Sequence, residues 1–558
     1  MDSWLLIDCA LRTTAVLVEA TDDGYRMVAR GEAMTTLDPE GDVTLGVVAA
    51  VRQVEETSGR SLLHTEDPLG IISPRDSHGN GVDQVLVTSS VGGGLQMMVA
   101  GLVRIMTAES AERAALGAGG NVLDVIAIDD GRMSHERIER MRELRPDMFL
   151  FGGGVNHGNL NDVLEFAREI AQADLLDMPI VFAGNLEARD DALKLLGEYE
   201  VHMVDNLRPK LEQEVLEPTR QKIHELFMRH VVSKAPGFDK LGEWASRPIM
   251  PSTGAVSRLM ELVAQDGAQN VMGVIVGDST TDVFSVFDGR FTRSVSADLG
   301  LGYSIASVAV KAGRPQLERW LPFFIRRDEL MDHLRNKMLH IVRKPDDDRD
   351  LAIQQAVTRE AMRLALVQHT HRAIRLRGVH QERDIASIFE KFADTLVDMS
   401  KLDLIIAAAG VFSWADDQAN ALILLDALQP EGVTRLAIDQ SMTSPHLGIL
   451  ASVNPEVGRQ VYLRDGLQHL GVSVCPTGRL VDGALCLTVA VTEVNRNRVE
   501  HQVMGGKVSF LPAGEGAEVV VQPQPGLDVG AGRGRSRKLT MGNNTCGLIV
   551  DTRRRGRR

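Results

Sequence analysis

One local pattern occurs twice in this chain: an apolar, β-prone run, a short polar turn, and a second β-prone run. The first copy is Trp4 to Ile7, then Asp8-Cys9-Ala10-Leu11-Arg12-Thr13-Thr14, then Ala15 to Glu19. A turn signal, Asp22-Asp23-Gly24, and a third strand at Tyr25 to Ala29 follow it. The second copy is Val271 to Val276, Gly277-Asp278-Ser279-Thr280-Thr281-Asp282, Val283 to Phe287, and the turn Asp288-Gly289. A pattern repeated in this way predicts two like mixed α/β domains. Such turns can aim backbone N–H groups and hydroxyls at a phosphate while a carboxylate holds Mg²⁺. A further strand ends in Ala407-Ala408-Ala409-Gly410, where small residues let a flat base approach the backbone. Thr-Thr is also a good β-former, so spacing alone leaves a purely structural hairpin open.

Between the copies, short unbroken apolar strands alternate with helices. The strands are Val85–Val87, Val125–Ile128, Met148–Phe151, Pro179–Phe182 and Val201–Val204. Helical patterns fill the gaps at Ala108–Leu116, His135–Arg145, Asn161–Asp174 and Asp190–Gly197. This alternation predicts a parallel sheet covered on both faces. Gly92-Gly93-Gly94, Gly152-Gly153-Gly154 and Gly184-Asn185 fall after strand ends, where such sheets bind ligands and also make tight turns. A long helix, about Glu212 to Ser233, leads to Arg247-Pro248-Ile249-Met250-Pro251 and a domain boundary. From Val461 onward, short strands separated by Gly and Pro predict a small all-β module.

Composition narrows the class. The 558 residues hold 44% hydrophobic and 25% charged side chains, which excludes wholesale disorder. Four cysteines (Cys9, Cys475, Cys486, Cys546) make no CxxC pair and no disulfide framework, so a cytoplasmic location is expected. Met1-Asp2-Ser3-Trp4 lacks a basic leader, and the longest apolar run, Leu404 to Ala415, is too short to span a bilayer. The net charge of −15 disfavours nucleic acid as the main partner. It hides a basic end: nine Lys and Arg against Asp551 from Gly530 on give +8, leaving −23 for the rest. The last residues, Arg553 to Arg558, are expected to hang free.

The order of motifs carries a family resemblance. One set is Ser89-Ser90-Val91-Gly92-Gly93-Gly94-Leu95, Arg113–Gly119 and Gly152-Gly153-Gly154-Val155-Asn156-His157-Gly158-Asn159. Another is Val181–Asn185, Ile249-Met250-Pro251, Thr280-Thr281-Asp282-Val283 and Gly410-Val411. The last is Leu425–Thr434 and Gly547-Leu548-Ile549-Val550-Asp551. Over nearly the whole chain these resemble the glutamate mutase accessory protein (MutL) family, which is unrelated to the mismatch-repair protein of that name. The resemblance implies an actin-like α/β fold: twin ribonuclease-H-like domains with an additional parallel α/β portion and a small C-terminal all-β module. The domains expected are a first lobe at 1–250, its α/β portion at 84–210, a second lobe at 251–455 and the β-rich module with its basic tail at 456–558. ATP and Mg²⁺ are the implied cofactors, the subunits of an adenosylcobalamin-dependent carbon-skeleton mutase the implied partners, and chaperone-like assistance the implied role. No cobalamin bound directly by this chain is expected.

Carried over residue by residue, the nucleotide site would use Asp8, Arg12, Thr13, Thr14, Gly277, Ser279, Thr280, Thr281, Asp282 and Gly410, with Asp8 and Asp282 toward Mg²⁺. The chain departs from the family pattern at three places. Ala10, Leu11 and Arg12 stand where Gly, Ser and Thr belong in the first turn. Ile275 replaces a strand aspartate and Asp278 a glycine around the second, and Ala407 and Ala409 replace glycines on the adenine side. Ile275 cannot hold Mg²⁺. Asp278 puts a negative charge beside the phosphates, and two unit charges about 4 Å apart repel by roughly 4 kcal/mol at an effective dielectric of 20. Arg12 offers a compensating phosphate contact. If the chain is an enzyme it is an ATPase, but these substitutions argue against turnover. The expected function is therefore an accessory protein with a degenerate nucleotide site. Alternatives are an actin-like scaffold or regulatory pseudo-ATPase, and an active ATP-dependent reactivating enzyme. Oligomeric state is not readable.

Other candidates have plainer readings. His369 and His371 fall on different faces of a helix. Asp346-Asp347-Asp348 reads as a helix start, and Cys9 as a small packed residue without an activating base. The Gly-rich stretch 530–534 follows no βα strand, so a dinucleotide reading fails.

Overall fold

The computed structural model describes residues 2–36, 42–64, 70–90, 95–230, 236–266, 269–341, 343–374 and 395–554. Gly92-Gly93-Gly94 and Arg555 to Arg558 lie outside the described residues. The chain divides into two compact units: residues up to Leu259 with Ser444–Asp465, and 260–374 with 395–443 and 466–554.

In the first unit, β1 (Ser3–Cys9) is buried along its whole length, as a strand with neighbours on both edges and cover on both faces must be. It pairs antiparallel with β2 (Arg12–Thr21), which pairs antiparallel with β3 (Gly24–Met34); on its other edge it runs parallel to β4 (Gln84–Ser89). The helix Val43–Ser58 covers this sheet with Val43, Val47, Val51 and Val54; Asp42 caps its first turn and Gly59, at φ 70°, ends it.

The chain then builds the additional α/β portion. Strands β5 (Gln96–Gly101), β6 (Asn121–Ala127), β7 (Met148–Gly152), β8 (Ile180–Phe182) and β9 (Val201–Met203) form an all-parallel sheet in the order β6-β5-β7-β8-β9. This is the 2-1-3-4-5 doubly wound order. One face holds Phe149, Phe151, Phe166 and Phe182 in a single cluster; Phe151 meets Phe182 edge-on at 5.3 Å. On that face the buried Arg137 and Glu169 join two covering helices (Ser134–Leu144 and Leu160–Gln172), Nε to Oε2 at 2.8 Å. The four helices expected between these strands fall within two residues of the observed ones, while the long helix expected from about Glu212 begins at Glu217. The chain returns at β10 (Met250–Pro251), parallel to β4, completing the order β10-β4-β1-β2-β3.

The second unit repeats that order. Strands β11 (Val271–Val276), β12 (Thr281–Phe287) and β13 (Arg290–Ser296) are antiparallel; β14 (Leu404–Ala409) and β15 (Gly432–Ile438) add in parallel. Two sheets with the 3-2-1-4-5 ribonuclease-H-like order make this an actin-like α/β fold.

The C-terminal part is all-β, as expected, and some of its strands continue the large sheet. Strand β16 (Gln468–Cys475) pairs with β15 along its length, the free edge of a central sheet being satisfied by the next strand available. Next come β17 (Leu485–Thr492), β18 (Arg498–Met504), β19 (Val508–Leu511), β20 (Glu518–Pro523), β21 (Arg537–Thr540) and β22 (Leu548–Asp551). Of these, β22 and β19 extend the large sheet beyond β16, while β18-β17-β20-β21 form a second sheet. Val489, Val491, Val519 and Val521 of that sheet share a core with Val472, Val474, Leu548 and Val550 of the larger one. Arg553 does not hang free: its guanidinium meets Asp426 and Asp551, each at 2.9 Å. Burial works against its charge, but the Asp551 and Asp426 carboxylates more than offset this and hold its pKa above the ordinary arginine value.

Asp347 caps the helix Asp348–Arg372, accepting from the Asp350 N–H at 2.8 Å. On the same helix His369 is fully buried between Ser294 Oγ on Nδ1 (2.8 Å) and Ser285 Oγ on Nε2 (2.7 Å). Burial, helped by the charge of Arg372, lowers its pKa to about 3. The folded chain keeps this ring neutral while the unfolded chain protonates near pH 6.5, so stability falls as pH drops from about 6.5 toward 3. The slope from this one group is at most about 1.4 kcal/mol per pH unit. Urea unfolding across that window, compared with His369→Gln, should show the slope reduced in the variant.

Candidate functional site

The first unit contributes the β1–β2 hairpin. Asp8, at the end of β1, is 8% exposed, and its Oδ1 accepts two hydroxyl hydrogen bonds: Thr88 Oγ1 at 2.7 Å and Ser252 Oγ at 2.6 Å. These come from β4 and from the first residue after β10, so the carboxylate pins three strand ends together. Its other oxygen is the one left for a cation or a cation-bound water. Arg12 is half-exposed and ion-paired with Glu32. Thr13 is buried, its Oγ1 2.8 Å from Thr35 Oγ1; Thr14 Oγ1 lies 2.8 Å from His446 Nε2. Sequence brings Asp8 and Arg12–Thr14 onto one hairpin, but both threonine hydroxyls are already engaged with the protein. Cys9 is fully buried, and burial first, with the Asp8 charge second, pushes its thiol far above the usual range. It is an inert packed residue.

The second unit contributes the β11–β12 hairpin, which brings Gly277, Ser279, Thr280, Thr281 and Asp282 together. The Gly277 N–H closes the turn on the Thr280 carbonyl at 2.9 Å. The loop behind it holds the turn in place: Gly302 N donates to the Asp278 carbonyl at 2.9 Å and Ser304 Oγ to the Ser279 carbonyl at 2.9 Å. A Cβ on Gly300 would fall 2.3 Å from the Asp278 carbonyl oxygen, so glycine is required there. Thr281 is buried, its hydroxyl donating to the Leu299 carbonyl.

Asp282 settles the chemistry of this half. It is 6% exposed, sits across from Ile275 in the β11–β12 register, and receives Arg293 Nε on Oδ1 at 2.9 Å. The Arg293 side chain is fully buried and its guanidinium lies over the Phe284 ring, 5.6 Å from the centroid. Oδ2 of Asp282 takes the Thr280 hydroxyl at 3.2 Å. A divalent cation on this carboxylate would have to share it with a guanidinium that has no route to solvent. Asp8 can serve Mg²⁺ through one oxygen; Asp282 does not fit it.

Gly410 opens the turn after β14 and is exposed, with the Trp414 ring 3.8 Å from where a Cβ would stand. Lys337 reaches the same tryptophan, Nζ 5.6 Å from its ring centroid, and lines a cavity with His333, Asn336, Arg343, Asp346 and Asp350. Burial holds its amine below the ordinary lysine value, against the pull of Asp350 and Asp278. Sequence reasoning did not find Lys337, Trp414, Thr88, Ser252 or Arg293. Only Ser252 carried a signal, following directly on Ile249-Met250-Pro251. Among the described residues no group of three or more His, Cys, Asp or Glu side chains could hold a metal, and no helix is long and apolar enough to cross a membrane.

Because Asp8 Oδ1 only accepts, Asp8→Asn retains both hydroxyl partners and should cost under about 1 kcal/mol. Asp8→Ala removes the acceptor of the Ser252 hydroxyl and leaves Thr88 only its 3.4 Å contact with the Ile7 carbonyl, and should cost about 1–3 kcal/mol in urea unfolding.

Solved structures align along most of the chain at low similarity. A nucleotide-free acetone carboxylase structure is 11% identical with a TM-score of 0.31, covering 89% of this chain and 80% of that one. Component A of the Acidaminococcus fermentans (R)-2-hydroxyglutaryl-CoA dehydratase is 8% identical with a TM-score of 0.27, over 82% and 99%. A glycerol dehydratase reactivase is 10% identical with a TM-score of 0.27, over 81% and 100%. The Protein MutL of Clostridium tetanomorphum is 28% identical over 396 residues, 66% of this chain and 79% of that one. The model of the MutL protein family matches residues 4–465, so the chain belongs to that family, the glutamate mutase accessory family its motifs resemble.

Proposed function

We propose that the chain is an accessory protein of an adenosylcobalamin-dependent carbon-skeleton mutase of the glutamate mutase type, working through partner binding without steady ATP turnover. Membership of the MutL family supports the partner. The observation that carries the mechanism is the buried Asp282–Arg293 pair. It spends the strand carboxylate of the second hairpin on a fixed guanidinium. Phosphoryl transfer depends on Mg²⁺ and on donors positioned around the phosphates. With Asp282 neutralised by Arg293, Ile275 apolar and Asp278 adding an acidic side chain within the turn, the second hairpin disfavours a bound triphosphate. In the first hairpin Asp8 keeps one oxygen for a cation, and Arg12, paired at the surface with Glu32, is the cationic side chain a phosphate could draw on. Weak nucleotide binding without turnover is the outcome this division favours. Four free cysteines are compatible with a reducing cytoplasm.

Two measurements test the reading. Pull-down of the cognate mutase subunits on the purified chain should show association with and without Mg-ATP; no association in either condition contradicts it. Phosphate release in Mg-ATP should stay at background and be unchanged by Asp282→Ala. Steady release lost in that variant means an active reactivating ATPase instead, and self-association rising with concentration in sedimentation means a scaffold.

A further inference from the structure

The parallel sheet of the first unit carries chemistry that the nucleotide hairpins do not use. Its strand order reverses at β5 and β7, and sheets of this kind bind ligands outside the carboxyl ends of their strands at that reversal. The loop leaving β7 is held there by side chains. Asn206 Nδ2 donates to the Gly154 carbonyl at 3.0 Å and to Asn156 Oδ1 at 2.8 Å, and Asn156 Oδ1 also accepts from the Leu186 N–H at 3.2 Å. His157 stands at its apex with φ 60° and a side chain 88% exposed. A left-handed backbone between Asn156 and Gly158 suits glycine, and histidine there carries a strain that so exposed a side chain does not regain by burial.

What the ring does have is Glu187. Nδ1 lies 2.7 Å from Oε1, while Oε2 of the same carboxylate accepts the His157 backbone N–H at 3.1 Å. A carboxylate on Nδ1 fixes the tautomer and leaves the Nε2 lone pair facing outward. Metal-ligating histidines are held in this way. Among the described residues no group of three or more His, Cys, Asp or Glu side chains could hold a bare ion here. A metal bound here must therefore bring its own ligands. The surroundings suit a broad apolar one. The loops after β5, β6, β7 and β8 each expose a large apolar side chain: Ile105 (43%), Met133 (66%), Leu160 (40%) and Leu186 (45%). The turn carrying Ile105, Arg104–Ala108, is a single π-helical turn, a feature frequent at functional sites. At the end of β8, fully buried Asn185 caps the Glu187 N–H with Oδ1 (3.1 Å) and keeps an Nδ2 with no partner.

We propose that this edge binds a metal-centred macrocycle of the tetrapyrrole class, held through His157 Nε2, with exposed apolar side chains of the neighbouring loops available to it. The Nε2 lone pair forms the metal–nitrogen bond as a metal-bound water leaves. The oxidation state does not change, and the Nδ1 proton stays with His157, hydrogen-bonded to Glu187. The inference rests on this sheet alone and departs from the sequence expectation that no cobalamin is held by the chain itself. Cobalt corrinoids and iron porphyrins share the chemistry required.

The full chain is titrated with aquocobalamin and, separately, with hemin, followed by visible absorption. For at least one of them a saturable one-to-one change of imidazole-for-water exchange is expected, and which one responds identifies the source. His157→Gly, which suits the backbone, should weaken binding at least about tenfold. Glu187→Gln should weaken it by about 10-fold or more. Leu186→Ser should weaken it roughly 3- to 10-fold with band positions unchanged. No spectral change with either macrocycle overturns the proposal, as does a change that survives His157→Gly and so arises at another histidine.

Discussion

A carboxylate inside a protein has to find a counter-charge, and the second hairpin is organised by how Asp282 finds one. Arg293 comes from the neighbouring strand, in a register that β12 and β13 fix over seven residue pairs, and it is fully buried. Removing two such charges from water is costly, and the pair persists only because Nε and Nη2 both reach Oδ1 while Thr280 satisfies Oδ2. The position where a metal would be expected therefore holds a cation supplied by the chain. The first hairpin solves the same problem differently, with two hydroxyls on Asp8 and no guanidinium, so its carboxylate keeps an oxygen to offer. One fold thus carries two hairpins of unlike electrostatic character.

The elements that sequence made legible are those whose pattern is local. The strand–turn–strand copies, the alternating strands of the parallel sheet and the helices between them are set by apolar periodicity, and they stand close to where that periodicity puts them. What sequence could not show depends on pairing across long separations. Arg293 reads as an ordinary polar residue of a β-prone run until β13 is laid beside β12. Ser252 and Thr88 become partners of Asp8 only when β4 and β10 are adjacent. The C-terminal strands read as a module of their own because Gly and Pro punctuate them. The sheet edge at β15 recruits β16, and β22 and β19 after it, for a reason absent from their own residues. Arg553 looked like part of a free basic end, and two acidic groups far away in sequence hold it.

The parallel sheet has its own division of labour. One face is packed with aromatic rings, and the strand ends carry a loop whose geometry is imposed by Asn206, Asn156 and Glu187 rather than by a helix. Positioning of that kind, with a costly backbone conformation at His157, separates this edge from the simple βα turns its glycines suggest.

The central claim is that Arg293, and not a metal ion, is the partner of Asp282. A double-mutant cycle on Arg293 and Asp282, read by urea unfolding with and without Mg²⁺, tests it most directly. Arg293→Met alone should cost about 3–5 kcal/mol by leaving a buried charge uncompensated; adding Asp282→Asn should recover most of that loss, and Mg²⁺ should leave the parent chain unmoved. An Arg293→Met variant as stable as the parent, or a parent chain stabilised by Mg²⁺ through Asp282, would contradict the account.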